Sequence, residues 1–120
     1  MHKPKQGQIY RLKKDKDEEG KPRPILIISR SELNGGHSVS AVPFYSQQLE
    51  KRKTQPWCAF FHKGEGGLTK DCVAKPDEMA PYDKTYIDFA HGKVGEFDEH
   101  QIERVLDALR WVVNDPNHIG

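Results

Sequence analysis

Polar side chains that could act on a phosphate stand at the ends of three predicted strands. Arg23 opens one strand, Tyr45 and Ser46 close the next, and Lys75 and Asp77 follow a third. A hydroxyl can orient a phosphate, a carboxylate can accept a proton, and arginine or lysine can offset charge that develops on phosphate. Together these residues indicate cofactor-free acid–base chemistry, although each alone is more often an ordinary residue at a strand end.

RNA would suit such a group of side chains, because its own 2′-hydroxyl supplies the nucleophile. The protein then needs only to position that hydroxyl, deprotonate it and neutralise charge. Two basic segments could form a rim that attracts phosphates, although such segments are usually solvated loops. The candidate RNA-binding residues are Lys13, Lys14, Lys16, Lys21, Lys51, Arg52 and Lys53.

Other kinds of site have less support in the sequence. The six histidines are scattered and show no metal-ligand spacing. Gly64, Gly66 and Gly67 do not precede a helix, so no glycine loop that cradles a phosphate is predicted. A Ser-His-Asp triad stays open, but no nucleophile-elbow pattern supports it. We therefore predict a site without a metal or other cofactor.

The stretch 20–29 is the element that best positions this chemistry. Its residues 25–28 form a continuous apolar run, mostly isoleucine, which predicts a strand buried on both faces. Pro22 and Pro24 restrict the backbone on both sides of Arg23. A permanently charged guanidinium is thereby held at the mouth of a buried strand.

Short strands and one terminal helix account for the rest of the chain. Asp98 and Gln101 predict a capping box, and apolar residues follow at helical spacing as far as Val113. Many short strands with one amphipathic helix indicate a mainly β fold with some α structure, a small and strongly bent barrel. Further strands are predicted at residues 7–12, 38–46, 57–62, 68–74 and 85–90, and loops at 13–22, 47–55 and 75–84.

The whole chain fits one small domain, residues 1–120. Residues 1–24 carry eight Lys/Arg against four Asp/Glu, and residues 94–120 carry two against six, so a polyanion would meet the basic front. Cys58 and Cys72 lack paired spacing, which predicts buried free thiols in a reducing cytoplasm. No apolar run predicts a signal peptide or a membrane span, so a cytoplasmic location is expected.

Two apolar clusters, residues 42–44 and 57–61, predict an interface between two copies of the chain. One helix over a small barrel would not readily cover so much large apolar surface, and a second copy would. The alternative is that these side chains simply fill the core of a monomer.

The order of these segments resembles the PemK/MazF toxins of bacterial toxin–antitoxin pairs over roughly residues 5–113. The similar segments are GQIY at 7–10, RPILIIS at 23–29, VPFYS at 42–46, DCVAKPDEM at 71–79 and the closing helix. The most specific of them is the glycine, one residue, Arg-Pro and apolar strand pattern that contains Arg23. The resemblance implies an SH3-like barrel that works as a homodimer and cuts single-stranded RNA without a metal.

Carried over by position, the resemblance implies that Arg23 is the catalytic arginine and Asp77 the carboxylate proposed as base. Lys75 stands where some members have a second arginine, so it keeps the charge but loses the bidentate geometry. Tyr45 stands where threonine is usual and Ser46 follows it, which leaves the phosphate-binding hydroxyl open between the two. Alternation should send these two side chains to opposite faces, and we favour Ser46 as the smaller group.

The sequence therefore predicts the toxin of a type II toxin–antitoxin system, a metal-independent endoribonuclease. The resemblance implies 2′-hydroxyl attack, a 2′,3′-cyclic phosphate and a 5′-hydroxyl as products, and loss of translation and growth. It also implies inhibition by an acidic antitoxin, with operator DNA bound only through the antitoxin complex. Two alternatives stay open: a non-enzymatic toxin similar to the gyrase poisons, and a silent module that only represses transcription with its partner.

Overall fold

Antiparallel strands make up most of the fold in the computed structural model, which describes residues 2–17 and 19–116. Four short 3-10 helices lie in the connections, at Ser31–Leu33, Glu65–Gly67, Pro76–Glu78 and Lys84–Tyr86. The strands are β1 (Gln8–Lys16), β2 (Pro22–Ile27), β3 (Ser38–Tyr45), β4 (Ala59–Phe61), β5 (Cys72–Ala74), β6 (Ala80–Asp83) and β7 (Gly95–Glu96), and the helices are α1 (Leu49–Arg52) and α2 (Glu99–Val113).

The strands form one curled antiparallel sheet in the order β4-β5-β3-β2-β1-β7, with β6 also paired to β3. Strand β3 causes the curl, because it pairs with β6 through Ala41 and with β5 from Phe44 onwards. Pro43 lies at this change of partner, opposite Ile25 of β2. The predicted mainly β fold with a bent sheet and a terminal helix is confirmed.

Strand β2 is buried on both faces, as the apolar run predicted. Leu26 and Ile28 belong to the larger core cluster, which lies under α2, whereas Ile25 and Ile27 belong to a second cluster on the other face. Successive side chains along a strand point to opposite faces of the sheet. When both faces are covered by apolar clusters, every position of the strand is therefore apolar. This explains why β2 shows no alternation of polar and apolar residues.

Helix α2 begins at the predicted capping box. Asp98 accepts a hydrogen bond from the Gln101 backbone, and the Gln101 side chain accepts one from the Asp98 backbone. Val105 and Ala108 are buried against the larger core cluster. Towards the end of the helix the apolar side chains become exposed: Val113 is 70% exposed. The apolar pattern therefore extends beyond the part of the helix that the sheet covers.

The strand predicted at residues 85–90 is wrong. The chain forms the 3-10 helix Lys84–Tyr86, in which the Asp83 carboxylate accepts a hydrogen bond from the Thr85 backbone, and Ile87 contributes only an isolated bridge to Leu12. The strand in this region is β6, inside the loop predicted at 75–84. Two prolines made that segment look like a loop, but β6 pairs with β3 alone, and a strand at an edge tolerates proline.

Two further loops contain regular structure that the sequence did not predict. Strand β1 continues through Lys16, with an irregular register between Arg11 and Lys16, so the predicted loop 13–22 is shorter than expected. Its residues 13–16 are polar because this ribbon extends beyond the core and is exposed on both faces. The predicted loop 47–55 contains α1, a single turn of helix.

The apolar clusters that predicted a dimer interface serve the core instead. Val42, Phe44 and Phe61 are fully buried within the chain, so this argument for a second copy is wrong for these three residues. Trp57 and Phe60 are only partly buried. Large apolar side chains at the end of α2, rather than residues 42–44, are among those left exposed.

Cys58 and Cys72 are buried free thiols, as predicted. Burial raises the pKa of Cys72 to about 12 and also raises that of Cys58. Neither cysteine therefore forms a thiolate at neutral pH, and both behave as small apolar residues of the core.

Candidate functional site

Arg23 lies in a cradle of backbone oxygens at the open end of the sheet. Its Nη1 donates to the Phe44 carbonyl at 2.8 Å, and its Nη2 donates to the Lys16 carbonyl at 3.0 Å. Its Nε pairs with Oδ2 of Asp15 at 3.0 Å, and only 9% of the arginine side chain is exposed. The guanidinium thus joins β2 to both neighbouring strands, β1 and β3.

These three hydrogen bonds leave part of Arg23 available. A guanidinium has five N–H groups, so one on each terminal nitrogen has no hydrogen bond to the residues that the structure describes. A phosphate oxygen could accept these hydrogens at the small exposed edge. The cradle fixes the orientation of the guanidinium in advance, which favours electrostatic stabilisation.

The ring of Tyr45 lies beside Arg23, with 4.1 Å between the guanidinium carbon and the ring centre. Arg52 and Lys75 also approach this ring, at 5.1 Å and 5.3 Å. The phenol donates to Oε1 of Glu78 at 2.6 Å. Burial, and next the bond to Glu78, raises the pKa of Tyr45 well above its usual value. The phenol is therefore protonated at neutral pH and acts as a donor.

The 3-10 helix Pro76–Glu78 brings two carboxylates to the ammonium of Lys75. The Lys75 Nζ lies 2.6 Å from Oε2 of Glu78 and 3.7 Å from Oδ2 of Asp77. Burial alone would raise the pKa of Glu78, but hydrogen bonds from Lys75 and Tyr45 hold it below its usual value. Glu78 was not among the residues predicted from the sequence. Its spacing of three from Lys75 in a turn was the one available signal.

Ser46 lines a narrow cleft of about 40 Å³ next to Tyr45. Lys21 and Arg11 also line this cleft, together with Lys70 and Asp17. Lys70 lies 2.8 Å from Asp17, whose carboxylate is buried, so this ion pair holds the β1–β2 connection against the body of the protein. The cleft combines a hydroxyl with several cations, which suits an anionic group.

The predicted basic rim reaches the site in part. Lys21 lines the Ser46 cleft, Arg52 approaches the Tyr45 ring, and Lys14 lines a separate groove beside Tyr82. The remaining predicted residues, Lys13, Lys16, Lys51 and Lys53, have exposed side chains, and Lys53 forms an ion pair with Glu50 at 2.9 Å. The structure thus brings together Arg23, Tyr45, Lys75, Asp77 and Arg52, and places Ser46 and Lys21 in the cleft next to Tyr45.

Within residues 2–17 and 19–116, no group of three or more His, Cys, Asp or Glu side chains is arranged to hold a metal ion. No helix in the same ranges is long and apolar enough to cross a membrane.

Comparison with protein families matches residues 5–113 to the PemK-like, MazF-like toxins of type II toxin–antitoxin systems. A search of the curated proteins finds no match.

Solved structures share the fold at low sequence identity. An endoribonuclease from a mycobacterial species is 23% identical, with a TM-score of 0.73, and the match covers 97% of this chain and 96% of that one. An endoribonuclease in complex with its cognate antitoxin, also mycobacterial, is 23% identical, with a TM-score of 0.69 over 94% and 99% of the two chains. A MazE-MazF structure (Form-III) from Deinococcus radiodurans is 19% identical, with a TM-score of 0.70 over 93% and 97%.

Proposed function

The chain belongs to the PemK-like, MazF-like toxins of type II toxin–antitoxin systems, and we propose that it is an endoribonuclease that cleaves single-stranded RNA. The observation that carries this proposal is the guanidinium of Arg23, which is held by backbone oxygens, keeps two N–H groups without a bond to any described residue, and lies beside Tyr45 and the Lys75 ammonium. Two of the similar structures bear the name endoribonuclease, which supports the same activity.

In the proposed reaction the 2′-oxygen of RNA attacks the adjacent phosphorus and the bond to the 5′-oxygen breaks. Asp77 accepts the proton of the 2′-hydroxyl, and the departing 5′-oxygen takes up a proton from Arg23, which regains one from water. The products are a 2′,3′-cyclic phosphate and a 5′-hydroxyl. Arg23 stabilises the charge that develops on the phosphate oxygens, Lys75 adds positive charge, and Ser46 holds one phosphate oxygen.

The contacts of the two neighbouring carboxylates support Asp77 as the base. Glu78 accepts hydrogen bonds from Tyr45 and Lys75, and its lowered pKa makes it a weaker proton acceptor. Asp77 lies farther from Lys75, at 3.7 Å, and its side chain is 32% exposed. Asp77 is thus the less engaged of the two carboxylates, since no hydrogen bond from Tyr45 reaches it and its ion pair with Lys75 is longer.

The test is incubation of the purified protein with a mixed-sequence RNA in excess EDTA. We expect cleavage to persist, because the proposed groups are all side chains of the protein. Polynucleotide kinase should phosphorylate the new 5′-hydroxyl ends without prior phosphatase treatment. Activity that vanishes on chelation and returns with magnesium would contradict the proposed mechanism.

We further propose that the protein works as a homodimer. The support is the exposed apolar end of α2, where Trp111 is 54% and Val113 70% exposed and the rings of Trp57 and Trp111 lie 5.2 Å apart. A second copy would remove this surface from water. Sedimentation of a monomer at micromolar concentration would contradict this assembly.

An acidic antitoxin is the proposed inhibitor. The cations that would meet RNA phosphates, among them Lys21 and Arg52, could equally meet carboxylates of a segment that folds on binding. Inhibition should compete with RNA and weaken as salt is added. An antitoxin that binds equally well when RNA is already bound would show that the two occupy different surfaces.

A second candidate function is a toxin that acts by binding another protein, as the gyrase poisons do. The exposed apolar end of α2 is the observation in its favour, because such a surface also suits a protein partner. The EDTA assay separates the two functions: a protein-binding toxin leaves RNA intact, and a nuclease does not. A silent repressor module would also leave RNA intact, and it would not inhibit growth without its partner.

A further inference from the structure

We propose that the groove between β1 and the Tyr82–Tyr86 segment is a subsite for an unpaired nucleobase of the RNA substrate. Leu12, Lys14 and Asp15 form one side of the groove, and the rings of Tyr82 and Tyr86 form the other. Its volume is about 260 Å³. The proposal rests on the proposed ribonuclease function and adds a place where the RNA is held beside the reacting phosphate.

The walls of the groove suit a flat aromatic ring. Tyr82 is partly buried and packs on the second core cluster, which fixes its position, whereas Tyr86 is 57% exposed. Proteins that bind single-stranded RNA stack unpaired bases on aromatic side chains of this kind. An exposed tyrosine next to a fixed one, with the apolar Leu12 across the groove, offers such a stacking surface.

Asp15 links the groove to the site around Arg23. Its side chain lines the groove and also pairs with the Arg23 Nε at 3.0 Å, so only Asp15 would lie between a base in the groove and the guanidinium. The pKa of Tyr82 is raised, first by burial and then by Asp15 and Glu78, while Arg23 opposes the shift. Tyr82 is therefore within electrostatic reach of the same groups that surround Tyr45.

Charge favours RNA over an apolar protein segment as the occupant. Lys14 lines the groove and Lys13 precedes it on β1, so cations stand where the phosphates flanking a bound base would lie. The single carboxylate of the groove, Asp15, is neutralised by Arg23. An aromatic surface beside cations is the usual combination for single-stranded nucleic acid.

The test measures binding of a mixed-sequence oligoribonucleotide that carries 2′-O-methyl groups throughout, which removes the nucleophile and prevents cleavage. Fluorescence anisotropy compares the wild-type protein with Tyr86→Ala and Tyr86→Phe. We expect Tyr86→Ala to weaken binding about tenfold, because stacking of one base is lost. Tyr86→Phe should stay within about twofold of the wild type, because stacking needs the ring and not the hydroxyl. Leu33→Ala, which changes another exposed apolar side chain, serves as the matched control and should have no effect.

An abasic oligonucleotide of the same length and charge separates base stacking from contacts with the backbone. We expect Tyr86→Ala to bind it as tightly as the wild type does. An equal loss for abasic and base-containing oligonucleotides, or no loss for either, would overturn the nucleobase subsite. So would a change in sedimentation of Tyr86→Ala, which would assign the groove to a second copy of the chain.

Cleavage of ordinary RNA by the wild-type protein distinguishes failure of this proposal from failure of the proposed function. Intact cleavage with no effect of Tyr86→Ala on binding removes the subsite alone. A base-dependent loss of binding in a protein that does not cut RNA supports the subsite and removes the nuclease function.

Discussion

Arg23 and Lys75 both contact the ring of Tyr45, but the protein holds these two cations in different ways. Arg23 is bound by two backbone carbonyls and one carboxylate, so the sheet itself fixes it. Lys75 is bound by the side chains of Glu78 and Asp77, in a turn at the surface. The guanidinium of Arg23 is therefore held by backbone groups of other strands, whereas the ammonium of Lys75 is held by side chains.

This difference decides what a substitution can reveal. A change at Arg23 disturbs chemistry and stability together, because buried carbonyls lose their donors. A change at Asp77 or Glu78 should affect chemistry with little effect on stability, because both carboxylates are partly exposed and ion pairs near the surface contribute little to folding. The substitutions below test that distinction, from the largest expected effect to the smallest.

The largest effect is expected for Asp77→Asn. Loss of a general base slows a reaction by about 10²–10⁴-fold, and Asp77 is exposed enough for the fold to stay intact. Single-turnover cleavage measures the first effect and thermal unfolding the second. Glu78→Gln is the matched control and should reduce the rate less, since the Glu78 carboxylate is already engaged by Tyr45 and Lys75. A larger loss for Glu78→Gln would assign the base to Glu78.

Arg23→Ala should lower both activity and stability. We expect the cleavage rate to fall by about 10²–10³-fold. Urea unfolding should show a loss of about 1–3 kcal/mol, because the buried Phe44 carbonyl loses its donor. Arg23→Lys should recover part of both, since it restores the charge but not the planar fork.

Activity has to be measured where the Arg23 variants are folded, so that the two effects are read separately. A rate that equals that of the wild type after correction for the folded fraction would make Arg23 purely structural. A loss of activity without any loss of stability would contradict the role of the carbonyl cradle.

The same distinction explains what the sequence could predict. The apolar run of β2 and the capping box of α2 are local patterns, and both were confirmed. The hydrogen bonds of Arg23 to Phe44 and Lys16 involve backbone oxygens of other strands, so residue types could not indicate that the guanidinium is buried. The bond between Tyr45 and Glu78 joins residues 33 positions apart and depends on the turn geometry. The pattern of residue types thus predicted which groups could meet, and the tertiary fold determined how each is held.

The substitutions Ser46→Ala and Tyr45→Phe compare the two hydroxyls that could hold a phosphate oxygen. Ser46→Ala should lower turnover about tenfold, if its hydroxyl loses a hydrogen bond to a charged phosphate oxygen. Tyr45→Phe should have a smaller effect, because the ring next to Arg23 remains and only the bond to Glu78 is lost. Steady-state cleavage of the same RNA measures both variants. The reverse order would assign the phosphate-binding role to Tyr45.

The smallest effect is expected for Asp17→Asn, which changes the dependence of stability on pH. Burial alone would raise the pKa of Asp17, but the ion pair with Lys70 and hydrogen bonds from two backbone N–H groups lower it below its usual value. The unfolded chain then binds a proton more readily than the folded one. The ion pair therefore stabilises the protein above the usual aspartate pKa, and this contribution is lost as the pH falls through the lowered value.

Urea unfolding between pH 7 and pH 2 measures this contribution. The wild type should lose up to about 1 kcal/mol more than Asp17→Asn as the pH falls, the scale of an ordinary ion pair. Lys70→Met is the matched control, because it removes the cation that lies 2.8 Å from Asp17. It should likewise reduce the loss of unfolding free energy at low pH. If Asp17→Asn and the wild type lose stability in parallel, the acid sensitivity belongs to other carboxylates and the β1–β2 connection is held by its backbone hydrogen bonds.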